Sequence, residues 1–408
     1  MSLNSARAGK TIACGFYANK RLVFLWTSDV ASVIVEVCCP AHRSEECYGA
    51  LGWTALDIRE VHMRSMNKLT LGGAIFGILA ASQAFAQDYP SLSLRMAHPL
   101  PETWPAVNWD KWWAEEVERR SDGKIDIEIF WSGQLGGLTE VKSLVGDGAV
   151  ELGVFAQAVH AEELPMMAVS AGLLNRVSAD AATANTLTGE MYQQDLVKAE
   201  TDAAGIVPIK WTVPSTYTLL CNKPVNEMAD LKGLRVRAVG GAYVPIWMEE
   251  YGMVPTRVQA PELREGLERG TIDCNFGPIE WATFSELEEV APYWSDINTG
   301  SFTTFQMIAS KEAWDSWPQE VRDLMTEVAQ EAMDKGQAEL AEVEQTAIKE
   351  FKEAGGEIVK LSDMEAFVER SPDMIAIWKE RTLEAGVSEV DIAPIIELQR
   401  KAEASFEN

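Results

Sequence analysis

From Leu92 onward the apolar positions switch repeatedly between a period of two and a period of three to four. Leu92-Ser93-Leu94-Arg95-Met96-Ala97 alternates and predicts a strand, closed by His98-Pro99-Leu100-Pro101. Trp104, Val107, Trp112 and Val117 then fall at helical spacing until Asp122-Gly123. On that helix Glu115 and Glu116 stand four residues before Arg119 and Arg120, which reads as a solvated, ion-paired face. A second strand is expected over 125–131, a tight turn at Gln134-Leu135-Gly136-Gly137, a helix over 138–145 and a third strand over 150–155. This strand–helix–strand rhythm predicts a parallel sheet covered by helices. In such sheets ligands bind at the carboxyl ends of the strands, where His98, the 134–137 turn and Gln157 fall.

The pattern continues with a helical stretch over 180–204 and strands over 206–213 and 216–222. Pro214 breaks the two strands apart as a hinge would. Leu231-Lys232-Gly233-Leu234-Arg235-Val236-Arg237 reads as a turn at Gly233 followed by a strand with one apolar face and two guanidiniums on the other. An arginine at the end of a strand beside a cleft suits a small carboxylate, because its planar fork matches the two oxygens. The plainer alternative is two surface arginines on a half-exposed strand. A helix through Tyr243, Ile246, Trp247 and Tyr251, a strand over 253–256, a helix over 262–269 and a strand over 271–276 follow. One unbroken helical pattern covers 319–352, from Trp317-Pro318 to Gly355-Gly356, and two further helices are expected over 372–386 and 390–406. The long helix invites a coiled-coil reading. Its seam lacks sustained Leu and Gly336 interrupts it, so packing across two lobes is preferred.

Charge narrows the partners. The 408 residues carry a formal net charge of −27. That disfavours nucleic acid and anionic membrane surfaces, which need a basic face. It leaves room for an anionic ligand held by one local arginine. Of the six cysteines, Cys14, Cys38, Cys39 and Cys47 lie near the N-terminus; Cys221 and Cys274 are read as two buried thiols, with a disulfide as the alternative.

The N-terminal region has a different logic. Met66-Asn67-Lys68, an apolar Gly- and Ala-rich run over 69–81 and Ala84-Phe85-Ala86 follow the order of a secretory signal peptide. The run is too short to span a membrane. Residues 66–86 are therefore read as a signal peptide directing the chain to the periplasm, with translation starting near Met66, and residues 1–65 as a miscalled extension without a clear strand or helix pattern. A genuine N-terminal domain is the alternative. Residues 87–213 form an expected first lobe, completed by part of 300–360, and 214–299 a second, completed by C-terminal segments.

The order of a strand ending in Ala97-His98-Pro99, then Ser132-Gly133-Gln134-Leu135-Gly136, then Gly148-Ala149-Val150-Glu151-Leu152-Gly153 resembles the extracytoplasmic solute receptors of TRAP (tripartite ATP-independent periplasmic) transporters. Asp230-Leu231-Lys232-Gly233-Leu234-Arg235-Val236-Arg237 is similar to that family's most recognisable segment. The resemblance implies an α/β fold of two lobes bridged by the long helix. It also implies a periplasmic receptor that delivers a small organic acid to membrane permease subunits. Arg237 matches the arginine that pairs with the ligand carboxylate, and Arg235 is read as turned away from it and solvated. Tyr217 stands near a second family contact that is often arginine, which suggests a ligand with one carboxylate. The chain departs from the family at Cys274, where Gly is usual, and at Gly277, where a ligand-contacting Asn is often found; Asn275 is the candidate substitute. Trp281 and Phe284 would form an aromatic wall suited to an apolar or ring-containing acid, unless both are core residues. Glu280 is read as a surface carboxylate or a polar ligand contact.

An enzyme would need a catalytic set. After residue 87 the only histidines are His98 and His160, and no zinc spacing, phosphate-cradling loop or Gly-x-Ser-x-Gly elbow is present. Asp273 with Glu280 is a carboxylate pair of the kind chance supplies in so acidic a chain. No cofactor or metal is expected. A periplasmic sensor presenting its carboxylate to a signalling partner shares the fold and pocket and stands as the alternative to transport.

Overall fold

The computed structural model describes residues 88–172, 180–238, 242–259 and 262–404, together with three strands within 12–36. The chain divides into two compact units, Met1–Ala81 and Ser82–Asn408. The first holds an antiparallel three-stranded sheet of β1 (Ile12–Tyr17), β2 (Lys20–Thr27) and β3 (Val30–Glu36) in that order. The sequence reading found no strand pattern here. Three runs rich in Val, Ile and Phe with two-residue separations nevertheless carry the signal of a self-contained meander, independent of the elements that follow. The expected signal peptide, 66–86, lies outside the described residues.

In the second unit, the first lobe is built on a five-stranded sheet. Its strands are β4 (Leu92–Ala97), β5 (Ile125–Phe130), β6 (Leu152–Ala156), β7 (Ile206–Thr212) and β13 (Phe305–Ser310), in the order β5-β4-β6-β13-β7. Strands β4, β5 and β6 run parallel, as the rhythm predicts. The sheet is nevertheless mixed, because β13 inserts antiparallel between β6 and β7. That strand comes from far along the chain, so local periodicity could not place it. The second lobe has six strands: β8 (Thr218–Cys221), β9 (Arg235–Arg237), β10 (Val254–Thr256), β11 (Cys274–Gly277), β12 (Tyr293–Ser295) and β14 (Glu357–Val359). Their order is β10-β9-β11-β8-β12-β14.

The chain crosses between the sheets at 213–217 and returns at 296–304. The two crossings are tied by Tyr217 N–H to Gly300 O at 3.0 Å and by the Thr299 hydroxyl to Tyr217 O at 2.9 Å. Pro214 falls on the first crossing, where the hinge was expected. Three helices matter most: α1 (Asn108–Arg120), α2 (Ile279–Phe284) and α3 (Gln319–Glu353). Helix α3, at ~1.5 Å per residue, is roughly 50 Å long. Its first half buries Val321, Leu324, Met325, Val328 and Ala332 in the core of the first lobe, where Trp113 of α1 donates to Met325 O at 3.0 Å. Its last turns bury Ala347 and Phe351 with Leu220 and Ile279 of the second lobe. Between them Val343 is exposed, so the apolar seam is two core faces joined by a solvated stretch and not a coiled-coil stripe. Helices Met364–Arg370, Met374–Glu384 and Glu389–Glu403 close the chain. They also touch both lobes: Trp378 donates to Pro165 O, and Tyr251 donates to Phe367 O at 2.6 Å. Among the described residues no helix is long and apolar enough to cross a membrane.

Cys221 and Cys274 are joined by a disulfide. The reading of two free thiols is corrected here. The two residues are direct partners in the antiparallel register of β8 and β11, with Cα atoms 4.0 Å apart, a closeness that only the pairing of the strands creates.

Candidate functional site

The carboxyl ends of β4 and β6 face those of β9 and β11 across a cleft between the lobes. Its cavity takes water centres over a volume of about 80 Å³, several times the ~10–15 Å³ that one water needs. Five of the residues singled out from the sequence meet there: Tyr217, Arg237, Asn275, Gly277 and Trp281. The first lobe adds Leu100, Trp104 and Leu138, and the returning crossing adds Phe302, Thr303 and Thr304. Phe302 to Phe305 had no signal in the sequence, since their segment shows neither period and reaches the site only through the crossing.

Arg237 ends β9, next to Asn275 in the parallel register with β11. Its Nε donates to Val258 O at 3.1 Å, and its Nη1 lies 3.5 Å from Asn275 Oδ1. Among the described residues no carboxylate pairs with it. Burial pushes its pKa down, with the nearby Tyr217 opposing. Arg235 differs for a reason the sequence reading misjudged. Two residues apart, the arginines leave the strand on the same face. Position along the strand separates them: Arg235, at the outer end, is clamped bidentately by Asp273 through Nε at 2.9 Å and Nη2 at 2.8 Å. That pair holds the Asp273 carboxyl below the usual range. Asp273 is thus committed, and the Asp273–Glu280 pairing considered from sequence does not form.

Glu280 is also corrected. It is neither a surface carboxylate nor part of the Arg237 cavity but is buried beside the first crossing, accepting from the backbone N–H of Ser215 at 3.0 Å and from its hydroxyl. Burial raises its pKa, against the Ser215 bonds. It lines a separate cavity of about 140 Å³ between the crossing and α3, on the other side of Trp281. That larger space offers no free cation among the described residues: Lys210 in it is paired with Asp110 at 2.6 Å.

Gly277 makes room for Asn275, since a Cβ there would come within 3.2 Å of Asn275 Nδ2. The polar amide therefore reaches the cavity from 275 and not from 277. Tyr217 is buried, its ring 4.2 Å from Phe302, 5.1 Å from Phe276 and 6.0 Å from Trp281. Burial raises its pKa, so the phenol keeps its proton. Trp281 also meets Phe305 at 5.8 Å and Trp104 edge-on at 6.1 Å, whereas Phe284 is exposed and meets Trp104 at 5.5 Å without lining the cavity.

His98 and Gln157 are placed behind the cavity wall. His98 is fully buried; its Nδ1 accepts from Leu100 N–H at 3.2 Å, so Nε2 carries the proton toward Asp110 at 3.1 Å. Asp110 also receives Lys210, and although burial opposes it, these two partners keep its carboxyl below the ordinary range. The His98–Asp110–Lys210 chain ties the end of β4 to α1 and β7. Gln157 donates to the Ser170 hydroxyl at 3.1 Å and accepts from Tyr192 at 2.9 Å. Both residues fix the frame from which Leu100, Ala156 and Ala158 face the cleft. Among the described residues no cluster of three or more His, Cys, Asp and Glu could hold a metal ion.

The family model for bacterial extracellular solute-binding proteins, family 7, matches residues 96–380. The chain belongs to this family, the solute-binding proteins of TRAP transporters. The 2,3-diketo-L-gulonate-binding periplasmic protein YiaO of Escherichia coli K12 is 26% identical over 67% of this chain and 83% of its own. The C4-dicarboxylate-binding periplasmic protein DctP of Rhodobacter capsulatus is 24% identical over 69% of this chain and 85% of its own. Among solved structures, a TRAP periplasmic solute-binding protein from Desulfovibrio salexigens with bound orotic acid superposes with a TM-score of 0.66. It is 22% identical, covering 76% of this chain and 98% of that one. A galacturonate complex from Bradyrhizobium gives 0.65 at 20% identity, covering 76% and 99%. These establish the two-lobed α/β fold. Members of the family bind and hand over solutes and do not transform them.

Proposed function

We propose that this chain is a periplasmic receptor that holds a small organic acid by its carboxylate on Arg237 and delivers it to the membrane permease subunits of a TRAP transporter. The observation that carries the reading is the state of Arg237: part-buried at the mouth of two parallel strands, with its guanidinium bonded to a carbonyl and an amide and to no acid. A charge moved out of water without a counter-ion is costly, and a ligand carboxylate would compensate it. Asn275 orients the guanidinium and Tyr217 offers a neutral hydroxyl beside it. The crossings at 213–217 and 296–304 act as the hinge. Closure removes water, strengthens the ion pair and creates the surface that the permease selects by population shift. The chain catalyses nothing; it is exported by the segment 66–86. Relatives bound to orotic acid, galacturonate and pyroglutamate make organic acids the panel to try.

The test is thermal unfolding with a panel of organic acids, wild type beside Arg237→Ala. A ligand at 100 times its Kd stabilises by ~2.7 kcal/mol. An acid that shifts the wild type should lose about 2–5 kcal/mol of binding in the variant, ~30-fold or more. An equal shift in both proteins would remove Arg237 from the site.

A further inference from the structure

Resting on that reading of Arg237, we infer that the ligand is a monocarboxylate with an apolar, ring-sized body, and not a dicarboxylate or a sugar acid. Among the described residues lining the cavity, Arg237 is the one charged side chain. A second carboxylate would meet no cation on this wall, and cations of the flanking elements are already committed, Lys210 to Asp110, Arg235 to Asp273 and Arg264 to Glu268 and Glu289. The walls are aromatic on several sides: Trp104, Tyr217, Phe276, Trp281, Phe302 and Phe305. Tyr217, Trp281 and Phe305 follow one another at 6.0 and 5.8 Å, a spacing that leaves ring faces and edges for an apolar guest.

The polar groups of the wall are few, and three of them are occupied. The Thr303 hydroxyl is bonded to Thr188 at 2.6 Å, the Thr304 hydroxyl to Thr212 O at 3.2 Å, and Asn275 Oδ1 faces Arg237. A sugar acid carries several hydroxyls, each needing a partner once water is excluded. Every hydroxyl buried without one weakens binding by roughly 5- to 150-fold. Among the described residues, the Tyr217 hydroxyl, Asn275 Nδ2, the Ser285 hydroxyl and the buried Trp104 Nε1 have no protein partner, and these few groups are what is left for the oxygens of a ligand.

The full chain is unfolded in guanidinium and refolded to release any resident ligand, then titrated calorimetrically with phenylacetate, 4-methyl-2-oxopentanoate, succinate and D-galacturonate. Phenylacetate or 4-methyl-2-oxopentanoate should bind at least 100-fold tighter than the other two. Trp281→Ala should weaken that acid tenfold or more, with Trp281→Phe retaining most of the affinity. If succinate or galacturonate binds best and Arg237→Ala abolishes it, the apolar-body inference falls while the carboxylate reading stands. If the best acid binds Arg237→Ala as well as wild type, the carboxylate reading itself falls. Absence of binding by all four overturns the inference. The rank order on wild type decides the matter even where a tryptophan variant folds poorly.

Discussion

Reduction of the Cys221–Cys274 bond isolates one term in the stability of the second lobe. The bond closes a loop of 53 residues that contains β9, β10 and the Arg237 segment. For a loop of this size the chain-entropy relation gives about 4 kcal/mol of stabilisation, acting on the unfolded chain. With an unfolding entropy of about 2.1 cal/mol/K per residue, that corresponds to a Tm lower by ~5 °C for a chain of this length. The native fold should change little, because β8 and β11 also pair through Asn275–Leu220, Phe276–Leu219 and Gly277–Thr218. Ligand affinity in the reduced protein should therefore stay within about threefold, since the register that places Tyr217 and Asn275 survives. The assay is calorimetric or fluorescence-monitored melting with and without reductant, beside Cys221→Ala/Cys274→Ala, with peptide mapping to locate the bond. The double variant should melt near the reduced wild type and ignore reductant. A Tm change below about 1 °C on reduction, with the bond shown to have opened, would refute the entropic argument. Free thiols at both positions before reduction would refute the bond.

Lys210→Met leaves Asp110 buried with only His98 beside it, and the unfolding free energy should fall by about 3–5 kcal/mol; Lys210→Met combined with Asp110→Asn should recover part of this in chemical denaturation. Glu200, part-buried and accepting the N–H groups of Met166 and Met167, has its pKa raised to about 7 by desolvation. The folded protein therefore holds this proton more tightly than the unfolded chain, and the associated stability is fully present below pH 4.5 and lost as the pH rises to about 7, by up to roughly 3 kcal/mol. Glu200→Gln should accordingly melt higher than wild type at pH 8 and much less so at pH 5. A Cβ on Gly153 would stand 2.5 Å from Val141 Cγ1 and 2.8 Å from Val145 Cγ2. Gly153→Ala should cost about 1–3 kcal/mol by pushing helix Val141–Gly146 off the sheet, read as a lower Tm.

Much of this protein is written locally. Strands β4, β5 and β7 and helix α3 follow from apolar period alone, because each buries a continuous face and is bounded by Gly, Pro or Asp-Gly signals. Arg237 is legible too, as a charge at the end of a strand whose other face is buried. The unread parts share a cause: they depend on residues distant in sequence meeting in space. Strand β13 takes its place by pairing with β6 and β7, the disulfide by the register of β8 with β11, and the phenylalanines of the returning crossing by their position beside Tyr217. Charge pairing works the same way. Nothing in the chain order distinguishes Arg235 from Arg237, or shows that Glu280 is held by Ser215 and His98 by Asp110. Sequence by itself determined the long helix and the strands of strong apolar period, and that two arginines follow the turn at Gly233 on one short strand, since backbone periodicity and turn chemistry act over a few residues. Only the tertiary structure decided which charges are neutralised from within, and so which guanidinium is left without an acid, because an ion pair depends on where two distant side chains come to rest.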